Sequence, residues 1–337
     1  MKILIVRLSS LGDIVLTQAF TSELRRIYPD SEIHYLTKQA FVGIVKLFGT
    51  VDKVLVYDKT LASHIAIHMQ NYDIVYDLHS KLSAALISLF AMPAVIHRYN
   101  KARIKRQNIV RTHAKTGIDF TVRLYLSAFR SVEGYSIPKH LPIPWLNLPT
   151  AWSSSTTENI AKTILIPRLD NKLSIALFPG AAHQTKMFPL AKLREIIDYA
   201  KDRYHFFLLG SEAERPLCSS LAMSCPESCT DLCGKFTLAD LIKVIGLIDI
   251  VITNDSGPMH LAAALGKPQI AIFGATHPSL GFSPMNSNAR IVCKDLDCQP
   301  CSLHGGERCP LNHFNCMNQI TAEEVLNAIR SLHQDSG

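Results

Sequence analysis

The chain has 337 residues and a formal charge of +7, with 47% hydrophobic and 19% charged residues. That length favours two domains, and that balance excludes a disordered or fibrous protein. No apolar run reaches the ~18 residues of a membrane span, and the longest candidate, 82–96, is interrupted by serines and Pro93.

Residues 3–7 (ILIVR) read as a buried parallel strand, and 14–28 as an amphipathic helix ending near Pro29. Further strands are expected at 31–37, 51–57 and 72–78, and a helix at 82–90. The stretch 97–130 is basic and broken by Gly117, with helical spacing from Phe120 to Phe129. Residues 136–158 contain Pro138, Pro142, Pro144 and Pro149 and then a Ser/Thr run, the composition of a linker. Alternation then restarts: strands at 173–178, 205–209, 248–252 and 269–273, and helices at 190–200, 238–247 and 258–265. The last helix, 322–332, has Thr321 and Glu324 set as a capping box. Strands alternating with helices predict two α/β domains with parallel sheets, residues 1–155 and 156–337.

Charge is unevenly shared. Residues 1–150 carry +9 and the remainder −2, the excess concentrating in Arg98, Lys101, Arg103, Lys105, Arg106, Arg111, Lys115 and Arg123. A solvated helix face explains such a run; an anionic partner of the first domain, whether nucleic acid, lipid surface or acidic sugar, explains it equally. Met1-Lys2 leads directly into a strand, with no signal-peptide layout, so a cytoplasmic location with reduced cysteines is expected.

Two strand-to-helix turns place an acidic residue at a helix start. In the first, Gly12-Asp13 follows the opening strand; Asp13 is either a helix cap or a catalytic carboxylate. A helix N-terminus lowers carboxylate basicity, so a base there needs an apolar or anionic setting to compensate. In the second, Asn254-Asp255-Ser256-Gly257-Pro258-Met259-His260 is either a well-capped helix or a turn offering N–H groups to a diphosphate. The loop Phe178-Pro179-Gly180-Ala181-Ala182 leads to Lys186, a surface lysine or a phosphate contact. Neither a Walker loop nor G-x-G-x-x-G occurs, which disfavours a nicotinamide dehydrogenase. In the tail, Cys298, Cys301, Cys309 and Cys316 are candidate ligands of a structural zinc, with free packed thiols the default. Cys225, Cys229 and Cys233 share a helix-like spacing without evident chemistry.

Together the opening KILIVRLSSLGDI, Phe178-Pro179-Gly180-Ala181, Lys186 with Phe188-Pro189, the Asn254–Gly257 turn with His260-Leu261-Ala262-Ala263, and the cysteine-bearing tail resemble glycosyltransferase family 9. These are the ADP-heptose:lipopolysaccharide heptosyltransferases, and the likeness runs over nearly the whole chain. The resemblance implies a GT-B architecture: two Rossmann-like domains facing across a cleft, the first for the acceptor and the second for the nucleotide-sugar. It implies that Asp13 is the general base, that Lys186 contacts the donor phosphates, and that Asp255, Ser256, Gly257 and His260 bind ADP. Phe236 falls where members contact the nucleoside. Ala181-Ala182 stands where some members carry a Thr pair, which removes two hydroxyl donors.

On this reading Ser10, Gly12, Lys81, Arg98, Lys101 and Arg103 serve an anionic lipopolysaccharide inner-core acceptor at the cytoplasmic face of the inner membrane. The reaction is an inverting heptosyl transfer in which Lys186 and backbone N–H groups stabilise departing ADP, with no cofactor required and no D-x-D motif present. Domain closure would exclude water. The alternatives are transfer of another nucleotide-linked sugar, a sugar-nucleotide epimerase of the same fold, and a nucleic-acid-binding protein using 97–123. The last leaves both acidic turns unexplained.

Overall fold

The computed structural model describes residues 1–162, 164 and 172–334. The chain divides into two compact units, residues 1–103 with 120–147, and 104–119 with 148–337.

The first unit is built on a five-stranded parallel sheet: β1 (Lys2–Val6), β2 (Glu32–Thr37), β3 (Lys53–Val56), β4 (Ile74–Asp77) and β5 (Val95–Arg98). The strand order is β3-β2-β1-β4-β5. β1 is central, and Ile3, Leu4, Ile5 and Val6 are all fully buried, which is why it reads as a continuous apolar run rather than an alternation. The helix Leu11–Ile27 follows with Ser10 at its N-cap and Arg25 and Arg26 in its last turn. Its Phe20 ring stacks on Phe129 at 4.4 Å and meets the edge of Tyr76 at 5.2 Å. Chain order runs outward from β1 to β3, then returns past β1 to β4. The order therefore reverses between β1 and β4, the position where open parallel sheets bind ligands outside the carboxyl ends of their strands.

The second unit repeats the scheme with six parallel strands: β6 (Leu173–Phe178), β7 (Tyr204–Leu208), β8 (Cys229–Asp231), β9 (Ile250–Asn254), β10 (Gln269–Phe273) and β11 (Ala289–Cys293). Their order is β11-β10-β9-β6-β7-β8, so the reversal falls between β6 and β9. Ile175, Leu177, Phe206, Leu208, Ile250 and Ile252 form the core with residues of the helices Leu190–Ala200 and Ala322–Gln334. The capping box at Thr321 and Glu324 is present: Thr321 N donates to Glu324 Oε2 at 2.7 Å, and Glu324 N donates to Thr321 Oγ1 at 3.2 Å.

Residues 104–119 pack within the second unit. Ile118 bridges Leu280, the Arg106 guanidinium lies over the Phe282 ring at 4.5 Å, and Lys115 pairs with Asp295 at 3.0 Å. Two charges of the basic stretch thus have structural partners. Contacts divide the chain after Asn147 and around 104–119, a pattern that proline and serine content did not signal.

Several elements lay beyond sequence reading: the helices Leu61–His68, Arg103–Thr112, Ser155–Lys162 and Arg215–Ser224, and strands β5, β8 and β11. These strands are sheet edges or lie at them, where short, partly polar segments suffice and no apolar run is needed. The helix at 155–162 begins inside the expected linker, because Ser154 Oγ accepts from Thr157 N at 3.1 Å; the serines are a cap rather than a spacer.

The Phe20–Phe129–Tyr76 cluster is the aromatic centre of the first unit. Phe20→Ala should destabilise the protein by ~3–5 kcal/mol, read as a lower midpoint in chemical denaturation. A loss under about 1 kcal/mol would mean that the stacked rings are not a core.

Candidate active site

At the first reversal, the end of β1 delivers Arg7 and the following helix delivers Asp13. Arg7 Nη2 pairs with Asp13 Oδ2 at 2.5 Å. Tyr125 Oη donates to Asp13 Oδ1 at 2.7 Å, and Ser10 Oγ donates to Oδ2 at 2.8 Å. The buried Arg7 also reaches the end of β4: Nη1 donates to the Leu78 carbonyl at 2.6 Å. Burial would raise the Asp13 carboxyl, but the Arg7 charge and the Tyr125 and Ser10 hydrogen bonds together outweigh it and hold the group at about 2. The setting is therefore cationic, the reverse of the compensation expected for a strong base.

β4 ends in a turn built on Asp77, whose Oδ1 accepts from His79 N at 3.0 Å and Ser80 N at 2.7 Å. Ser80 adopts φ 49°, the left-handed region, where a non-glycine residue is strained and turns or functional loops concentrate. Cations gather around this turn. Arg98 Nε lies 3.2 Å from Asp77 Oδ2, Lys101 Nζ donates to the Ser80 carbonyl at 2.9 Å, and Arg103 approaches the same carbonyl at 3.5 Å. Burial, then the charges of Arg7, Arg103 and Lys81, lowers Lys101 to about 8. Burial and the charges of Arg7, Lys81 and Lys101 lower His79 to about 4, so its imidazole is neutral at pH 7. His79 Nδ1 is buried with no hydrogen-bond partner among the described residues.

At the second reversal, Asn254 links the two strand ends. Its Nδ2 donates to the Pro179 and Gly180 carbonyls at 2.9 and 3.1 Å, and its Oδ1 accepts from Phe188 N at 3.0 Å. Beside it, Lys186 Nζ pairs with Asp255 Oδ2 at 2.7 Å, with side chains 15% and 5% exposed; Thr276 Oγ1 donates to the same oxygen at 2.7 Å. Ser256 is the N-cap of the helix Gly257–Ala264, yet its Oγ is buried with no hydrogen-bond partner among the described residues. An unsatisfied buried hydroxyl at a helix start is a group available to a ligand. Phe236 is half-buried in the loop after β8, at the edge of the same sheet, and His260 is buried in the first turns of the helix.

The cysteine-bearing tail braces this half-site. Thr185 N donates to the Gly306 carbonyl at 3.0 Å and Gly306 N donates to Thr185 Oγ1 at 2.8 Å. Gly305 has φ +90°, and a Cβ there would stand 2.8 Å from Lys186 Cγ, so only glycine lets the tail lie against the lysine stem. Burial first, then neighbouring thiols, pushes Cys301 up to about 11 and Cys316 up to about 12. Among the described residues, Cys218, Asp231 and Cys233 bring ligand atoms within 4.8 Å of one another, whereas no three of Cys298, Cys301, Cys309 and Cys316 do so. Thus Cys233, which shared a helix-like spacing with Cys225 and Cys229, sits just beyond β8.

The family model of glycosyltransferase family 9 (heptosyltransferase) matches residues 62–309, most of the chain. The chain belongs to glycosyltransferase family 9. It is 25% identical to the lipopolysaccharide heptosyltransferase 1 of Campylobacter coli, over 99% of this chain and 100% of that one. In fold it is similar to the Escherichia coli ADP-heptose lipopolysaccharide heptosyltransferase II, with a TM-score of 0.78, 21% identity and 100% of both chains covered. It is likewise similar to an E. coli heptosyltransferase solved with ADP-2-deoxy-2-fluoro heptose, with a TM-score of 0.68, 21% identity, and 98% and 99% covered.

In this family 9 chain, the first reversal gathers Ser10, Asp13, Lys81, Arg98, Lys101 and Arg103 around the ends of β1 and β4, with Gly12 buried in the helix start. The second gathers Lys186, Asp255, Ser256 and Gly257. Sequence reading missed Arg7, Tyr125, His79, Asn254 and Thr276 as site residues. Arg7 carried a signal, a cation ending a fully apolar strand; Tyr125 carried none, because its partner lies 112 residues away.

The Arg7 pairing makes a titration prediction. Asp13 is depressed in the folded state, so its stabilising contribution is full above the ordinary carboxylate value near ~4 and is lost as pH falls toward 2. Arg7→Met should raise the Asp13 carboxyl from about 2 toward that ordinary value, with only the Tyr125 and Ser10 hydrogen bonds left to oppose burial, and should flatten the fall of stability between pH ~4 and 2. An unchanged fall would show that Arg7 does not control Asp13.

Proposed function

We propose that this chain transfers a heptose from ADP-heptose to a hydroxyl of the lipopolysaccharide inner core, with inversion at the anomeric carbon. The observation that carries the reading is the Lys186–Asp255 pair beside the unpartnered Ser256 hydroxyl at a helix N-terminus, a countercharge and donor set suited to a diphosphate. Family membership and the names of its relatives narrow the donor to ADP-heptose.

On this proposal the second unit holds the donor. Lys186 and the first-turn N–H groups around Gly257 take up the charge that develops on ADP as the glycosidic C–O bond breaks. Asp255 holds Lys186 until phosphate oxygens replace or extend that contact, Phe236 packs the nucleoside, and His260 supports the turn. The first unit holds the acceptor, with Lys81, Arg98, Lys101 and Arg103 facing its carboxylates and phosphates and with Ser10 and Gly12 beside the attacking hydroxyl. That hydroxyl forms the new C–O bond, and its proton passes to Asp13. A carboxyl held at about 2 cannot deprotonate a free alcohol in advance. It can accept the proton late, once bonding to the anomeric carbon has made the oxygen strongly acidic. The tail cysteines are assigned to packing against the Lys186 loop, and a structural zinc is not required for this role.

No helix among the described residues is long and apolar enough to cross a membrane. We propose a cytoplasmic enzyme that meets its acceptor at the inner membrane surface, drawn there by the cations around Ser80. Nucleic acid is not a partner on this reading.

Asp13→Asn should retain ADP binding and lose at least about a hundredfold in turnover; near-normal turnover would remove Asp13 as the proton acceptor. In calorimetric titrations the protein should prefer ADP to UDP and GDP, and Lys186→Ala should weaken ADP by about tenfold or more. A preference for UDP would move the donor away from ADP-heptose. Because Lys101 is depressed to about 8, its charge is full at pH 7 and lost as pH rises through 8. KM for an anionic acceptor should therefore rise between pH 7 and 9, and Lys101→Met should abolish that rise.

A further inference from the structure

Two helices of the first unit are apolar on both faces. In Leu82–Phe90, Ala84 and Ile87 are buried in the core, while Leu82, Leu86 and Leu89 are 78%, 48% and 61% exposed. In Leu61–His68, Ile67 is buried while Leu61 and Ile65 are exposed, and Met69, next in the chain, is 71% exposed. The helices touch: the His64 ring meets the edge of Phe90 at 5.1 Å, and His68 Nδ1 hydrogen-bonds the Phe90 carbonyl at 3.1 Å. Phe90 is itself half exposed, so the two outer faces adjoin. A helix apolar all round is ordinarily enclosed, and clustered exposed apolar side chains mark a surface that something covers.

Charge identifies the cover. Between residues 58 and 103 there are five Lys and Arg against three acidic residues, Asp58, Asp73 and the fully buried Asp77. Lys59 lies just before the first helix, beside Asp58, which accepts from Thr60 N at 2.9 Å; Lys81 is the N-cap of the second, and neither helix has an acidic residue in its first turn. Lysines at helix N-termini oppose the helix dipole, which favours anions there. That arrangement suits anionic groups supplied from outside. A second copy of this chain would bring the same cations against these and be repelled.

We propose that these two helices form a membrane-docking face, with Leu61, Ile65, Met69, Leu82, Leu86 and Leu89 entering the interfacial layer of an anionic phospholipid bilayer and Lys59 and Lys81 meeting headgroup phosphates. The inference deepens the proposed function, resting on it only for the reason a membrane is approached. It adds an apolar insertion that charge alone would not provide. The turn carrying Ser80 and Lys81 leads directly into the docking helix, so a lipid-anchored acceptor would be met at the point of insertion.

The test is flotation of the full-length protein with phosphatidylglycerol/phosphatidylethanolamine vesicles, beside phosphatidylcholine vesicles, at low salt and at ~0.5 M salt. The protein should float with the anionic vesicles and retain part of that binding at high salt. Leu82→Ser/Leu89→Ser, and independently Leu61→Ser/Met69→Ser, should lower the partition coefficient about tenfold or more. Both should keep ADP affinity and the wild-type circular dichroism. Failure of the wild type to float, equal flotation of the variants, or loss of all binding at high salt would overturn the docking face. A dimer that the variants abolish, without vesicle binding, would assign the patch to a second copy and also overturn it. Vesicle binding without ADP binding would leave this inference standing and sink the transferase reading instead.

Discussion

One desolvated cation organises the first half-site. Arg7 is carried into the interior by the four apolar residues of β1, and once buried it must be paired and hydrogen-bonded. It meets that need with the Asp13 carboxylate and the Leu78 carbonyl, which ties the loop after β1 to the loop after β4. The same charge depresses Asp13, His79 and Lys101 together. The protonation states around the first reversal are therefore not independent: burial is the larger cause at His79 and Lys101, and one guanidinium acts on all three groups.

The second half-site uses the same topology with different chemistry. There the link between strand ends is a neutral amide, Asn254, and the ion pair lies one residue further on, between Asp255 and Lys186. At both reversals a cation is paired with a carboxylate; the difference is that Arg7 itself ties the two strand ends together, whereas at the second reversal Asn254 does so and Lys186 does not.

Much of this was legible in the sequence because it is local. Uninterrupted apolar runs at 3–6, 175–178 and 250–252 lie in the central strands, and the residues following them lie at strand ends wherever the loops go. Asp13, Lys186 and Asp255 were found on that ground. What escaped notice depends on contacts between segments distant in the chain. Tyr125 reaches Asp13 from a helix that reads as an ordinary amphipath, Thr276 reaches Asp255 from the loop after β10, and Ile118 joins the second unit through one bridge to Leu280. β5 and β11 were missed for a different reason: an edge strand has one neighbour and an open side, so its sequence need not be apolar throughout.

The brace between Thr185 and Gly306 spans 121 residues. Because a chain is made from its N-terminus, the first half-site has all of its side chains once Tyr125 has emerged, while Lys186 waits for a loop made near the end. A ribosome-bound intermediate could hold the finished Arg7–Asp13–Tyr125 corner long before the lysine paired with Asp255 is steadied. The tail that reads as an appendage of cysteines is in this sense the last structural component of the Lys186 loop, and its loss would leave the lysine present but unsupported.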